Sequence, residues 1–342
     1  MLKIAIVILN WNGKDFLEEY LPSVIEHSKL EGVKVIVADN GSTDDSVSFM
    51  KRSFPNTEII LLDKNYGFAH GYNLALSKIE AEYFVLLNSD VRVSEGWLIP
   101  LLRIMDSDNL IAACMPKIRD MQHPDFFEHA GAAGGFIDKY GYIFCKGRIF
   151  ESIENDFGQY DNSSEIFWAT GACLMVRGPL FKILGGFDTR FFAHMEEIDL
   201  CWRLKNRGYK IMIAPESVVY HVGGGTLPKE NPHKTYLNFR NNLLLLLKNL
   251  HPDYVGSILI TRIFMDFLSG LRFLFKGAFK DIFAIIKAHF SFYNAIKYCK
   301  DFRRKEVRFI LGYNHKQIYP NSIVAEYFVR KKYTFNSLKW KI

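Results

Sequence analysis

The chain has 342 residues, of which 49% are hydrophobic and 15% aromatic, and its formal net charge is +6. This composition supports a sizeable buried core and excludes a disordered chain, because disordered chains are poor in apolar residues. The five cysteines are scattered and form no CxxC pair, which excludes a disulfide framework and a zinc knuckle and favours a reducing compartment. The first apolar run ends at Leu9 without a small-residue cleavage site, so we expect no signal peptide.

The N-terminal part of the chain alternates between strand-like and helix-like segments. Apolar runs of strand length occupy residues 3–9, 33–38, 58–62 and 83–87. Helix-like stretches lie between them at residues 15–27, 45–53 and 71–79. This alternation predicts an α/β fold with a mostly parallel, doubly wound sheet and right-handed crossovers.

The middle of the chain is less regular. Residues 131–147 are rich in glycine and aromatic residues, which favours a loop or hairpin. Residues 167–176 are a further strand candidate, and a helical pattern at 198–207 is followed by strand-like residues 209–214. We therefore expect one domain that spans residues 1–250.

The last part of the chain, residues 251–342, is strongly basic. It carries 17 Lys and Arg against 6 Asp and Glu, a net charge of +11, which predicts an anionic partner such as nucleic acid or lipid. It contains no run of 18 apolar residues, so we expect no membrane-spanning helix.

Residues 257–290 of this region are very apolar, and seven of their polar members fall on one stripe at about 100° per residue. These members are Arg262, Asp266, Ser269, Arg272, Lys276, Lys280 and Lys287. The pattern predicts an amphipathic helix, or two helices broken near Gly277, in the interface of an anionic membrane. The alternative is a helical pair packed on the main domain.

Polar residues follow the predicted strands at the edge where an open α/β sheet binds ligands. Asn10 and Asn12 follow the first strand, and Asp39 follows the second. Asn65 follows the third strand, and Asn73 lies in the next helix. An acidic residue here can accept hydrogen bonds from a ribose or base, and amides can contact a pyrimidine edge. All five are candidate nucleotide contacts, with ordinary turn residues as the alternative.

Asn88, Ser89 and Asp90 directly follow the fourth strand. A carboxylate at the end of a buried strand can hold a hard divalent cation such as Mg²⁺, which brings substrate phosphates with it. Asp90 is therefore a candidate metal ligand and Asn88 a candidate substrate contact. The alternative is a solvated strand-end turn.

Three further polar features lie later in the chain. Glu196, Glu197 and Asp199 begin a predicted helix, where the dipole favours carboxylates, but one of them could also be a general base. His221 follows a strand and precedes a glycine run, so its imidazole could complete a metal shell. Arg240 could bind a phosphate or be a charge on a helix surface.

In chain order these motifs resemble those of family 2 glycosyltransferases of the rhamnosyltransferase-like branch. The resemblance covers about residues 3–247. The motifs are N-W-N-G at 10–13, A-D-N-G-S-T-D at 38–44, N-Y-G-F-A-x-G-x-N at 65–73, N-S-D at 88–90, A-T-G-A-C at 169–173, E-E-x-D-L-C-W-R at 196–203, H-x-G-G-G at 221–225 and R-N-N at 240–242.

The resemblance implies a GT-A fold, a UDP- or dTDP-linked sugar donor, Mg²⁺ or Mn²⁺, and inversion at the anomeric carbon. It implies that Asp90 binds the metal, with Asn88 in place of the first Asp of the family's D-x-D motif. It further implies that Glu197 is the catalytic base, that Asp39 contacts the nucleotide base and that His221 is another metal ligand.

These expectations together describe a transferase on the cytoplasmic face of the cell membrane, with a lipid-linked or cell-surface polysaccharide acceptor. One alternative is a sugar-phosphate nucleotidyltransferase, although the first loop lacks a glycine-rich signature with a lysine. Another is a non-catalytic membrane adaptor that retains the fold, against which the intact Asp90, Glu197 and His221 speak. No nucleic acid is expected as partner, because the basic residues are interleaved with apolar ones and no binding module appears.

Overall fold

The computed structural model describes residues 1–223 and 231–341. The N-terminal strands β1 (Leu2–Asn10), β2 (Val33–Asn40), β3 (Glu58–Leu62) and β4 (Ala81–Asn88) are joined by helices α1 (Lys14–Glu26), α2 (Ser46–Ser53) and α3 (Gly67–Ser77). These strands are parallel and lie in the order β4-β1-β2-β3. The predicted alternation is confirmed, and residues 4–8 of β1 are buried because β1 is a central strand whose side chains face the covered sides of the sheet.

A second, smaller sheet follows the first part of the main sheet. The connecting elements are β5 (Val91–Val93), α4 (Leu98–Ser107) and β6 (Ile111–Asp120). The small sheet contains β7 (Gly135–Asp138), β8 (Ile143–Cys145), β9 (Arg148–Ile149) and β10 (Ser152–Ile153). β7 and β8 are antiparallel, so residues 131–147 form the hairpin that their composition favours.

The main sheet is parallel on one side and mixed on the other. Its later elements are β11 (Ser164–Ile166), β12 (Cys173–Arg177), α5 (Gly178–Ile183), α6 (Glu196–Asn206) and β13 (Lys210–His221). The strand order is β11-β13-β6-β12-β4-β1-β2-β3, and β5 pairs with β13. Because β12 runs antiparallel to both β4 and β6, the all-parallel half ends at β4.

The strand predicted at residues 167–176 is shorter in the structure. β12 begins only at Cys173, because Phe167 and Trp168 hydrogen bond to Gly135 of the small sheet instead. The chain then returns to the main sheet, where the backbone N–H of Asn88 donates to the carbonyl of Ala172 at 3.0 Å. The turn at 170–172 therefore lies beside the carboxyl end of β4.

Three long helices follow the main sheet. They are α7 (Pro232–Asn249), α8 (Pro252–Phe275) and α9 (Phe279–Glu306), and α7 packs extensively against α9. α8 and α9 are separated at Gly277, which has a left-handed φ of +69° and so confirms the predicted break. Within residues 1–223 and 231–341, no helix has the length and apolar character needed to cross a membrane.

The predicted helical C-terminal region is present up to Glu306, where α9 ends, and the described residues after it form no long helix. Residues 307–341 contain only short helical turns and the strand β14 (Ile318–Tyr319), which pairs with β7. Phe335 and Trp340 then pack on Phe136 of the small sheet. This tail therefore belongs to the body of the protein, because it completes the aromatic core of the small sheet.

The first part of the polar stripe on α8 faces the protein body, whereas an interfacial helix turns its polar face to water. Arg262 and Asp266 are buried, and Nε of Arg262 lies 3.1 Å from Oδ1 of Asp266. The Arg262 guanidinium stacks 3.7 Å above the ring of Tyr142, and Nε2 of His289 lies 3.3 Å from Asp266. Arg262 and Asp266 thus fix α8 to the body of the protein, and apolar side chains of the helix lie on the outside.

Candidate active site

The loops after β1 and β2 are tied together by two of the predicted nucleotide contacts. Asn10 and Asp39 are neighbours in the strand register, and Nδ2 of Asn10 donates to Oδ1 of Asp39 at 3.1 Å. The other oxygen of Asp39 accepts from the backbone N–H of Ser42 at 2.9 Å. Oδ1 of Asn10 is buried and has no hydrogen-bond partner among the described residues. Such an acceptor is suited to a donor group on a ligand.

Asn12 and Asn65 order the two neighbouring loops and stay exposed. Oδ1 of Asn12 accepts from the backbone N–H of Thr43 at 2.7 Å, which joins the loop after β1 to the loop before α2. Oδ1 of Asn65 accepts from the backbone N–H of Gly67 at 2.8 Å, at the start of α3. Both residues therefore lie at the predicted edge of the sheet.

The structure gives Asn73 a different role from the predicted nucleotide contact. Its Nδ2 donates to the carbonyl of Phe187 at 2.8 Å, and its Oδ1 accepts from the N–H of the same residue at 2.9 Å. Because both ends of the amide are bonded to one backbone unit, Asn73 fixes the segment before α6 to α3. We assign it to that structural role.

Asp90 and His221 meet where β4 and β13 end. Nε2 of His221 lies 3.2 Å from Oδ1 of Asp90, and both side chains are buried. The other ring nitrogen, Nδ1, lies 3.3 Å from Oε2 of Glu128, which is also buried. Burial alone would lower the pKa of His221, but the two carboxylates raise it to about 10.

This pair fits a divalent cation that arrives with a phosphorylated substrate. Within the described residues, no group of three or more His, Cys, Asp or Glu could hold a metal ion by itself. One carboxylate and one imidazole, once the cation displaces the proton between them, nevertheless form a donor set suited to Mn²⁺ or Mg²⁺, whose remaining ligands come from phosphates and water. Asp90 and His221 are thus placed to hold such an ion, while Asn88 is half-buried beside them.

Glu196 and Glu197 form an acidic pair in the first turn of α6. Burial raises the pKa of Glu197 to about 7, although backbone hydrogen bonds, including one from Gly171, lower it. Burial and the charge of Glu197 raise the pKa of Glu196 well above its ordinary value. Oε2 of each carboxyl has no hydrogen-bond partner in the described chain. A carboxyl with a pKa near 7 can accept a proton at neutral pH, so Glu197 has the property of a general base.

Asp199, the third acid of this cluster, anchors α6. Burial alone would raise its pKa, but the charges of Lys248 and Arg203 lower the pKa below the ordinary value. Nζ of Lys248 lies 2.9 Å from Oδ1 of Asp199, and Nε of Arg203 lies 2.9 Å from Oδ2. A carboxylate paired in this way is a poor proton acceptor.

Three of the predicted motifs meet at one edge of the main sheet. The turn in which Gly171 donates to Glu197 also accepts, at the carbonyl of Ala172, a hydrogen bond from the N–H of Asn88. The loop after β1 reaches the same place, since a Cβ on Gly13 would lie 3.6 Å from Oγ of Ser89. The candidate base, the candidate metal ligands and the candidate nucleotide contacts are therefore neighbours, although they lie far apart in the sequence.

Arg240, predicted to bind a phosphate, is bonded to the protein backbone instead. Its Nη2 donates to the carbonyls of Arg190 at 2.8 Å and Phe191 at 3.0 Å. Its Nη1 donates to the hydroxyl of Tyr236 at 3.2 Å, and its Nε donates to Oδ1 of Asn241 at 2.8 Å. Because these contacts occupy the guanidinium, we assign Arg240 to holding the segment before α6. Gly224 and Gly225 of the H-x-G-G-G motif lie outside the described residues.

Sequence reasoning missed Glu128, which lies in the irregular connection between β6 and β7. Its backbone N–H donates to the carbonyl of Ile118 at 3.1 Å, and this bond brings its carboxylate to His221. The sequence signal was weak, because the pair Glu128-His129 lies in no motif. Only the fold shows that β6 and β13 are adjacent and end together.

Comparison with known proteins identifies the family of the N-terminal half. The family model described as Glycosyl transferase family 2 matches residues 5–173. A relative from Mycobacterium tuberculosis is named N-acetylglucosaminyl-diphospho-decaprenol L-rhamnosyltransferase. It is 25% identical over 236 residues, which cover 64% of this chain and 75% of the relative.

Two solved structures show the fold over a longer stretch. GalNAc-T7 with UDP, GalNAc and Mn²⁺ has a TM-score of 0.58 and 15% identity, covering 72% of this chain and 48% of that chain. TarS from S. aureus in complex with UDP-GlcNAc has a TM-score of 0.54 and 15% identity, covering 90% of each chain. The fold is therefore that of GT-A glycosyltransferases, as the sequence motifs implied.

Proposed function

Because the chain carries a Glycosyl transferase family 2 domain, we propose that it is an inverting glycosyltransferase. It moves a sugar from a UDP- or dTDP-linked donor to a hydroxyl of a lipid-linked or cell-surface polysaccharide acceptor. The observation that carries the proposal is the meeting of Glu197 with Asp90 and His221 at one edge of the sheet, through the turn at 171–172. A direct displacement at the anomeric carbon needs a base beside the acceptor hydroxyl and a binding site for the departing diphosphate on the opposite side.

Glu197 acts as the base in this reaction. It removes the proton from the acceptor hydroxyl as the oxygen attacks the anomeric carbon, and the bond from that carbon to the diphosphate breaks. A divalent cation, Mg²⁺ or Mn²⁺, would neutralise the charge on the departing diphosphate. Asp90 and His221 are the residues that would hold it. A single attack from the face opposite the leaving group inverts the anomeric centre.

The nucleotide lies on the β1–β2 side of the site. Asp39 and Asn10 are buried there, and Oδ1 of Asn10 is an acceptor without a partner in the described chain. The N3–H group of uracil or thymine suits such an acceptor, which supports UDP or dTDP. GalNAc-T7 is bound to UDP and TarS to UDP-GlcNAc in the structures compared above, and the similarity of fold supports a uridine nucleotide here.

We also propose an anionic membrane surface as partner, on the cytoplasmic face of the cell membrane. The M. tuberculosis relative is named for a lipid-linked acceptor, and such an acceptor is reached at the membrane. The outward side of the helical pair, called here the α8–α9 apolar face, is suited to that surface. It consists of the exposed residues Ile260, Phe264, Phe267, Phe275, Phe279, Phe283, Ile286 and Phe290.

The exposed charged residues between positions 276 and 287 are all basic. Lys276, Lys280 and Lys287 are exposed next to the apolar residues. The neighbouring acid, Asp281, is half-buried and accepts from the hydroxyl of Thr235 at 2.6 Å. Apolar side chains flanked by lysines are typical of protein surfaces that enter the headgroup region of anionic bilayers.

The experiment that tests the proposed reaction measures thermal stabilisation by UDP, dTDP, GDP and CDP, each with and without Mn²⁺. A ligand that binds only the folded state raises the unfolding temperature. We expect stabilisation by UDP or dTDP that depends on Mn²⁺ and is lost in Asp90→Asn. Stabilisation by nucleoside triphosphate and sugar phosphate together would favour a nucleotidyltransferase. Absence of any effect in folded protein would favour a non-catalytic adaptor.

A further inference from the structure

The segment that leads into Glu197 has a strained backbone. Phe192, His194 and Met195 have φ values of 63°, 68° and 75°, in the left-handed region that residues with a Cβ rarely adopt. Met195 is the residue immediately before α6, so this strain directly precedes the acidic pair. Such a conformation persists only where surrounding contacts impose it.

Helix α3 supplies one set of these contacts. The backbone N–H groups of Phe68 and Ala69 donate to the carbonyl of Phe192 at 3.0 and 3.2 Å. A Cβ on Gly67 would lie 2.6 Å from the ring of Phe192, so the start of α3 and this loop are in close contact. These hydrogen bonds fix the carbonyl of Phe192. The carbonyls of the residues next to it are bonded by a different helix.

Helix α7 supplies that partner through the buried amide of Asn241. Its Nδ2 lies within hydrogen-bond distance of three carbonyls, those of Phe191 at 3.0 Å, Ala193 at 2.9 Å and His194 at 2.7 Å. Its Oδ1 accepts from Arg240, whose guanidinium also binds the carbonyl of Phe191. A single side-chain amide thus contacts three backbone carbonyls, which this tight loop orients to the same side.

The far end of α7 holds the other end of the same segment. Nζ of Lys248 lies 2.6 Å from Oδ2 of Asp188 and 2.9 Å from Oδ1 of Asp199. Nδ2 of Asn249 donates to the same oxygen of Asp199 at 2.9 Å. Residues 188–199 are therefore spanned by one helix that contacts them before, within and after the strained turn.

We propose that Asn241 is a positioning residue for Glu197, which it holds in reach of the acceptor by fixing the strained segment in which Phe192 and His194 have a left-handed φ. This inference rests on the proposed function for the role of Glu197. A carboxylate that must meet a hydroxyl at hydrogen-bond distance tolerates little displacement, and a shift of about 1 Å can cost about a hundredfold in rate. Asn241 acts through the backbone and does not contact substrate.

The next residue offers a matched control. Asn242 is also buried on α7, and its Nδ2 donates to a single carbonyl, that of Gly141, at 2.8 Å. Asn241→Ser and Asn242→Ser therefore remove the same atoms from adjacent positions, but only the first lies on the segment before Glu197. A general loss of stability affects both variants.

The first measurement is hydrogen–deuterium exchange of the purified full-length variants, which needs no substrate. We expect residues 188–199 to exchange about tenfold or more faster in Asn241→Ser than in Asn242→Ser, with the main sheet equally protected in both. Equal exchange of this segment in the two variants would overturn the proposal. If Asn241→Ser does not fold, Arg240→Gln takes its place, since it removes the guanidinium bonds to Arg190 and Phe191.

The second measurement is steady-state kinetics with a donor on which the wild-type protein is active. We expect kcat to fall at least tenfold in Asn241→Ser, with the donor KM unchanged within about twofold, while Asn242→Ser keeps both. If residues 188–199 exchange faster in Asn241→Ser while kcat stays at the wild-type value, the inference is contradicted. Absence of transfer by the wild-type protein with every donor tested would instead count against the proposed function, and the exchange result would stand.

Discussion

His221 Nε2 lies 3.2 Å from Asp90 Oδ1, and the opposite ring nitrogen lies 3.3 Å from Glu128. The imidazole is thus held between two buried carboxylates, one from the turn after β4 and one from the connection between β6 and β7. A second carboxylate behind a metal-binding histidine fixes its ring and makes the nitrogen that faces the metal a better ligand. The motif at residues 88–90 is therefore only part of the candidate metal site.

Replacing Glu128 is expected to weaken metal binding although the residue does not face the metal. In Glu128→Gln, the His221 ring loses its charged partner, and we expect affinity for Mn²⁺ in the presence of UDP to fall about tenfold to a hundredfold. Isothermal titration calorimetry measures this directly. Glu326→Gln is the control, because Glu326 is equally buried but pairs with Arg330. Unchanged Mn²⁺ affinity in Glu128→Gln would show that His221 does not need this partner.

Replacing Glu197 is expected to stop transfer while leaving donor binding intact. Glu197→Gln keeps the shape of the side chain but removes the proton acceptor, so we expect kcat to fall about a hundredfold to ten-thousandfold. The dissociation constant for UDP should change little. Glu196→Gln is the control, since Glu196 is the neighbouring buried carboxyl in the first turn of α6. A larger loss of kcat in Glu196→Gln than in Glu197→Gln would mean that Glu196, and not Glu197, is the base.

The raised pKa of Glu197 predicts how the rate depends on pH. A base works only when ionised, and burial raises the pKa of this carboxyl from an ordinary 4.5 to about 7. Near pH 6 only about a tenth of the molecules then carry the ionised form, so kcat should fall about tenfold for each unit below pH 6. A kcat profile from pH 5 to 9 measures this. A profile that stays flat down to pH 5 would mean that the base has an ordinary pKa.

The sequence contained enough to predict the edge of the sheet at which the site lies. Asn10, Asp39 and Asp90 each follow a strand, and parallel strands end at one edge, so their proximity follows from local pattern and fold class. Glu128 lies in a connection without regular structure, where no pattern says which strand it approaches. The sequence predicts ligand contacts for Asn73 and Arg240, whereas the structure bonds them to the backbones of Phe187 and Phe191. These partners are distant in sequence, so a local pattern does not reveal them.

The helical stripe shows a different limit of sequence patterns. Periodicity places Arg262, Asp266 and Lys287 on one side of an ideal helix, but it does not say whether that side faces solvent or protein. The structure buries Arg262 and Asp266 against Tyr142 and leaves Lys287 exposed. Burying an ion pair is costly unless both charges have partners, and it is the body of the protein that provides them here.

The exposed apolar side of these helices leads to the last prediction, which concerns membrane binding. Phe264 and Phe283 are exposed on α8 and α9, and burying a phenylalanine is worth about 1.5–3 kcal/mol. In Phe264→Ser/Phe283→Ser we therefore expect binding to vesicles that contain phosphatidylglycerol to weaken more than tenfold, measured by co-sedimentation. Phe157→Ser is the control, since Phe157 is 84% exposed but lies outside the helical pair.

Two further observations separate the lipid surface from other partners of the α8–α9 apolar face. Vesicles of phosphatidylcholine alone should bind the wild-type protein more weakly, because the exposed lysines then lose their anionic partner, and added salt should weaken binding to the anionic vesicles. Light scattering shows whether two chains associate in solution. If the double variant converts a dimer to a monomer and leaves vesicle binding unchanged, a second copy of the chain covers this face and the membrane proposal is wrong.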